Sequence, residues 1–155
     1  MKQVVNEAYK ELFTSNKRYI IMLGGRGAGR STAASQYALS KMLAPEYFRC
    51  AIMRYVLGDI RNSIYREIID RVEESEVKGM MDINETMMTI KYGQNMINAQ
   101  GFKKSSGEQK AKLKSLANYN CVIIEEADEI SQEDFMQLDD SLRTIKEAER
   151  YPVIC

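Results

Sequence analysis

Residues 19–32, YIIMLGGRGAGRST, decide the fold. Tyr19 to Leu23 is a continuous apolar run of strand length without polar alternation, the pattern of a strand covered on both faces in a parallel sheet. Gly24-Gly25-Arg26-Gly27-Ala28-Gly29-Arg30-Ser31 then matches G-x-x-x-x-G-K-[ST] at every fixed position, except that Arg30 stands where the pattern has Lys. From Ser31 onward, Ala33, Ala34, Tyr37, Ala38 and Met42 continue as a helix that must close near Leu43, because Pro45 follows. A glycine loop between a strand and a helix is built to cradle phosphate. Residues without Cβ let main-chain N–H groups curl around phosphate oxygens, and the helix N-terminus adds partial positive charge. Gly24, Gly25, Arg26, Gly27, Ala28, Gly29, Arg30, Ser31 and Thr32 are therefore the candidate binding residues for ATP, with the Ser31 hydroxyl a candidate Mg²⁺ ligand. A guanidinium at position 30 is larger and more planar than an ammonium, so phosphate binding survives there while alignment for hydrolysis is disturbed. Arg26 offers a second cation that can fold back on the γ-phosphate; a solvent-facing loop arginine is an equal alternative.

Outward from this loop the strand and helix pattern repeats. Cys50 to Tyr55 reads as a second strand, Gly58-Asp59 as a turn and cap, and Ile60, Ile64, Ile68 and Val72 as the buried stripe of one long helix. Met87 to Tyr92 and Met96 to Phe102 flank Gly93-Gln94-Asn95 as a β-hairpin. Before the loop, Val4, Ala8 and Leu12 recur every four residues as a short amphipathic helix. Cys121 to Ile124 is another buried strand, and Ser131 caps a helix with Phe135, Leu138, Leu142 and Ile145 on one face. Tyr151 to Cys155 starts one more strand, within which the sequence stops. The expected fold is α/β, a P-loop NTPase of the RecA-like kind, with a mainly parallel sheet flanked by helices plus a β-hairpin. Residues 1–155 read as a single, incomplete domain, marginal or self-associating in isolation.

Composition narrows the chemistry. The 155 residues include no histidine, which removes the usual acid or base near neutral pH and any Ser/His/Asp or Cys/His hydrolase. Cys50, Cys121 and Cys155 form no C-x-x-C pair, and buried thiols in a reducing cytosol fit them better than a disulfide or zinc. No apolar run is long enough for a membrane span. Chemistry must run on carboxylates, Lys, Arg and hydroxyls. Glu125 and Glu126 end the strand Cys121 to Ile124, and alternation along a strand points them in opposite directions. Glu125 is assigned to the Mg²⁺ coordination sphere and Glu126 to orienting and deprotonating the attacking water. Acids that merely begin a helix after a strand are the alternative. Lysines 103, 104, 110, 112 and 114 crowd the stretch before that strand, to meet DNA phosphates or a neighbouring subunit's nucleotide, or as a solvated loop.

Together these motifs resemble the N-terminal ATPase domain of the large terminase subunit of tailed bacteriophages. Arg18-Tyr19 followed by GGRGAGRS is similar to that family's R-Y, apolar strand and GGRGSGKS entry. Arg54 to Val72, with Ser63-Ile64 before a helix, resembles its R...S-[IV] helix. Gly93-Gln94-Asn95 running into Gly101-Phe102, Lys112-Leu113-Lys114-Ser115 and Ile124-Glu125-Glu126-Ala127 resemble its hairpin, K-[IL]-K-S and I-E-E-A segments. Glu133-Asp134-Phe135, Gln137-Leu138 and Leu142-Arg143 resemble the helix that follows. The resemblance implies ATP hydrolysis in a homo-oligomeric ring coupled to translocation of double-stranded DNA, with portal and small terminase subunit as partners, in the host bacterial cytoplasm. It implies Lys114, or else Lys112, as the cation that reaches a neighbour's γ-phosphate, and Arg26 as a contact within the same subunit. It also places the strand that follows the acid strand's helix between the acid strand and the glycine-loop strand. Family members continue into a coupling motif and a nuclease domain, so the chain reads as a fragment. The glycine loop and acid pair alone equally fit another RecA-like or helicase-like ATPase, and Arg30 fits a nucleotide-binding remnant without turnover.

Overall fold

The apolar runs of the sequence become neighbours in one sheet. A computed structural model of the protein describes residues 4–103, 116, 118–142 and 153–154. In chain order the elements are α1 (Lys10–Thr14), β1 (Tyr19–Ile20), α2 (Arg30–Met42), β2 (Arg49–Val56), α3 (Leu57–Ile60), α4 (Ile64–Glu73), β3 (Asp82–Asn84), β4 (Thr89–Tyr92), β5 (Asn95–Lys103), β6 (Cys121–Ile124), α5 (Gln132–Ser141) and β7 (Val153–Ile154). The sheet has the order β1-β7-β6-β2-β5-β4-β3. Its pairs are parallel from β1 through β5, and antiparallel from β5 to β3. This is the α/β fold with a mainly parallel sheet and hairpin that the sequence implies, and β7 lies between β6 and β1 as the resemblance requires.

Alternation distributes the central strands between two cores. Cys50 and Ile52 stand opposite Cys121 and Ile123 in register, and these four join Leu39, Met42, Ile68 and Ile97 under α2 and α4. Ala51, Met53, Val122 and Ile124 face the other way and pack with Phe102, Leu116 and Leu138 of α5. Both faces are thus covered along Cys50 to Met53 of β2 and along all of β6, which is why these stretches carry no polar residues. Cys50 and Cys121 are buried thiols outside any disulfide, and burial pushes the Cys121 thiol well up, so it stays protonated and unreactive. Asn95 opens β5 as a clasp rather than as a simple turn residue. Its Oδ1 accepts the Phe48 N–H at 2.8 Å, and its Nδ2 donates to the carbonyls of Met42 and Ala44 at 3.0 Å each.

Four local expectations change. The run Tyr19 to Leu23 is strand only over Tyr19–Ile20; Ile21 and Leu23 are 68% and 87% exposed. Their ladder ends because the register with β7 stops at Ile20 opposite Ile154. The long helix is two pieces: Gly58 and Asp59 lie inside α3, and Ser63 leaves helical geometry at φ −123°, ψ −126° before α4. Ile60, Ile64, Ile68 and Val72 are nevertheless all buried, so the stripe survives the break. The N-terminal helix is a 3₁₀ turn, Glu7–Tyr9, capped by the Asn6 side chain and running into α1, with Leu12 buried but Val4 exposed. Finally, β3 adds a third strand to the hairpin, pairing Ile83 with Ile90.

Candidate functional site

The glycine loop is shaped by its sequence. Gly27 and Gly29 adopt φ of 75° and 82°, left-handed backbone that side chains resist, and Gly29 is the residue from which α2 starts. At Gly24 a Cβ would lie 3.0 Å from the Ala28 Cβ, a tight approach that the loop accommodates only by shifting a few tenths of an ångström. The chain turns through a hydrogen bond from Ala28 N–H to the Gly25 carbonyl at 3.3 Å, and Ala33 N–H takes the Gly29 carbonyl at 2.9 Å as the helix begins. The first amides of α2 have no acceptor within their own helix and carry its dipole's positive end. Tyr9 braces the loop from outside, donating its hydroxyl to the Ala28 carbonyl at 2.6 Å. Residues 24–28, including Arg26, are exposed; Ser31 and Arg30 are half-buried. Neither Arg26 nor Arg30 forms an ion pair among the described residues.

Across the sheet edge stand the two glutamates. Glu125 continues the β6 ladder by one bond, its N–H donating to the Met53 carbonyl at 2.9 Å. Its Oε2 accepts the Ser63 hydroxyl at 2.5 Å and lies 3.8 Å from Arg54 Nη1. Glu126 then turns the chain at φ 50°, ψ 56°, a left-handed conformation uncommon outside glycine, and a 3₁₀ turn over Ala127–Glu129 follows. The strand alternation invoked to point the two acids apart therefore does not operate. The strand ends at Ile124, and the turn brings both carboxylate residues to one cleft.

That cleft, of about 840 Å³, is the meeting point of the site. Gly24, Arg30 and Ser31 border it from the loop, and Glu125, Glu126 and Asp128 from the acid side. Ile21, Leu23, Ile64 and Phe135 supply apolar wall. Gly25, Arg26, Gly27, Ala28, Gly29 and Thr32 complete the loop without bordering the cleft, and Lys114 lies outside the described residues, as do Lys104, Lys110 and Lys112. Ser31 and Glu125 provide hard oxygen donors of the type Mg²⁺ takes. Among the described residues no group of three or more acids, cysteines or histidines gathers to hold a metal alone. Such a donor set fits a cation that completes its shell with phosphate and water oxygens. Sequence reasoning missed Tyr9, whose hydroxyl reaches the loop from a separate element, and gave Ser63 and Arg54 no role. Only the bare resemblance pattern around residues 54–72 signalled the last two.

No curated protein matches this chain. Among solved structures, it is similar to the large terminase of a thermophilic bacteriophage, with a TM-score of 0.72 at 14% identity, covering 99% of this chain and 39% of that one. Another crystal form of that terminase, in complex with ADP, gives 0.65 at 13% identity, covering 94% and 37%. The HK97 bacteriophage large terminase gives 0.71 at 11% identity (98% and 32%), and the Thermus phage P74-26 large terminase ATPase domain 0.59 at 17% (96% and 68%). The likeness shows that the chain has the fold of these ATPase domains, and the chain spans about two fifths of the first terminase's length. A model of the phage terminase large subunit matches residues 16–154, and the chain belongs to that family.

Proposed function

We propose that this chain is the ATP-binding and ATP-hydrolysing part of a viral DNA-packaging motor, which couples hydrolysis to movement of double-stranded DNA. The observation that carries the reading is the shared cleft. Ser31 at the head of α2 and the pair Glu125 and Glu126 after β6 are remote in sequence, yet border one opening beside the glycine loop. Family membership and the ADP bound to a structural relative point the same way.

In this reading the amides of residues 24–32 bind the phosphate chain and Arg30 neutralises its terminal charge, with Arg26 as the second cation of the loop. Ser31 and Glu125 would hold Mg²⁺, which supplies positive charge to the β- and γ-phosphates. Glu126 orients the attacking water and takes its proton. It is exposed beside the cleft, and its turned backbone sets its direction independently of Glu125. Lys114 acts in trans on a neighbour's nucleotide within a homo-oligomeric ring, and the portal and small terminase subunit are the wider assembly; these rest on the family resemblance. Work in the host cytoplasm likewise rests on the family resemblance; no helix among the described residues is long and apolar enough to cross a membrane.

Thermal unfolding with and without ATP and Mg²⁺ tests the cradle. The nucleotide should raise the melting temperature, and Ser31→Ala should abolish the Mg²⁺-dependent part of that rise; absence of any nucleotide-dependent shift overturns the assignment. Glu126→Gln should keep the shift and lower turnover by about 10²-fold or more, the usual scale for a lost general base. Unchanged turnover removes Glu126 from that role.

A further inference from the structure

One contact at the cleft is explained by neither the glycine loop nor the acid pair. Ser63 stands at the N-terminal boundary of α4, where a serine ordinarily turns its hydroxyl onto the free amides of its own helix. It makes no such cap. The hydroxyl lies instead 2.5 Å from Glu125 Oε2 and 3.0 Å from the Ile60 carbonyl oxygen. A hydroxyl has one proton, and an ionised carboxylate can only accept, so the two oxygens compete for it. The Glu125 oxygen is the closer of the two. Arg54, near the end of β2, is a looser neighbour: Nη1 is 3.8 Å from the same Oε2 and Nε 3.6 Å from Glu129. Both exceed hydrogen-bond length, and Nε is buried without a hydrogen-bond partner. Ser63 and Arg54 thus both meet Oε2, and Oε1 takes neither contact.

We propose that Ser63 is a positioning residue for Glu125: its hydroxyl fixes the carboxylate through Oε2 and leaves Oε1 for the cation that accompanies the nucleotide. The inference rests on the reading of Glu125 as the cation-side acid. A helix cap has been given up for it, which is the trade expected where a side chain serves a site rather than its own helix. The contact also joins the acid to the loop by a second route. α4 packs on α2, whose first turn carries Ser31, and Arg71 of α4 donates to Ser35 Oγ of α2 at 3.0 Å.

Calorimetric titration of the chain with ADP, across a range of Mg²⁺ concentrations and separately in EDTA, tests this. Ser63→Ala should raise the Mg²⁺ concentration for half-maximal effect about tenfold, the scale seen when a partner of a metal ligand is lost, and leave binding in EDTA unchanged. Ser63→Thr, which keeps the hydroxyl, should restore the parent Mg²⁺ dependence. The proposal is overturned if Ser63→Ala keeps the parent Mg²⁺ dependence, or if its binding falls equally in EDTA, which marks a purely structural role. Glu125→Gln separates the two levels. If it leaves Mg²⁺ dependence unaltered, the cation-side reading of Glu125 fails and Ser63 falls with it. If it shifts that dependence and Ser63→Ala does not, only the role of Ser63 falls.

Discussion

The two flanks of β2 are built to different standards. Toward β5 the ladder runs unbroken from Arg49 opposite Met96 to Arg54 opposite Gly101, with Val56 opposite Lys103 beyond, and Ile52, Ile90 and Ile97 are wholly buried. Toward β1 it narrows, from Cys50 to Met53 along β6 to two residues each at β7 and β1. Among the described residues, the loop and acid residues assigned to nucleotide chemistry lie on the narrow flank: exposed loop glycines and a left-handed glutamate, with Ile21 and Leu23 in the open beside them. Packing that would stabilise this flank would also fill the cleft. Stability is concentrated where there is no chemistry, and the site is held in place from that side through the backbone of β2 and β6.

The comparison breaks most visibly if the broad flank proves dispensable. Ile97→Ala removes a fully buried side chain from the core under α2 and α4 and should cost about 3 kcal/mol in urea unfolding. A loss below about 1 kcal/mol would mean that the β5 side is not where the fold is anchored. Asn95→Ala comes next, at about 2 kcal/mol, because it strands the buried Phe48 N–H and deprives the Met42 and Ala44 carbonyls of their donor. Asn95→Asp keeps the acceptor but loses both donors and adds a buried charge, so it should be no better tolerated. If Asp rescues the protein, the Phe48 bond alone matters and the clasp is one-sided.

The sequence discloses these flanks unequally. β2 and β6 are legible because burial on both faces leaves the apolar runs Cys50 to Met53 and Cys121 to Ile124, and the glycine loop because its geometry is imposed by residues adjacent in sequence. The break between α3 and α4 is hidden, since Ile60, Ile64, Ile68 and Val72 keep helical spacing straight through it. β3 is hidden because Asp82-Ile83-Asn84 is short and has one apolar residue to offer. The pairing of Ser63 with Glu125 is a tertiary fact, as is the Tyr9 brace, and no local pattern encodes either. The apolar run at Tyr19 to Leu23 misleads in the opposite sense. It carries the composition of a two-faced strand, but composition does not say which neighbours it will meet.

Glu126 sharpens the comparison at the smallest scale. Its backbone at φ 50°, ψ 56° occupies a region that costs residues with a Cβ about 1 kcal/mol and that glycine enters freely. A glutamate kept there in a solvent-exposed turn contributes nothing to the core, so the fold alone gives no reason for it. Glu126→Gly and Glu126→Ala both remove the carboxylate, and both should lose turnover to the same degree as Glu126→Gln. They should differ in stability: the glycine variant is expected to exceed the alanine variant by about 1 kcal/mol in urea unfolding, because only glycine relieves the backbone. Equal stabilities would show that the turn carries no strain. A stability gain accompanied by lost hydrolysis would show the narrow flank giving up stability at the residue where the reaction needs its carboxylate.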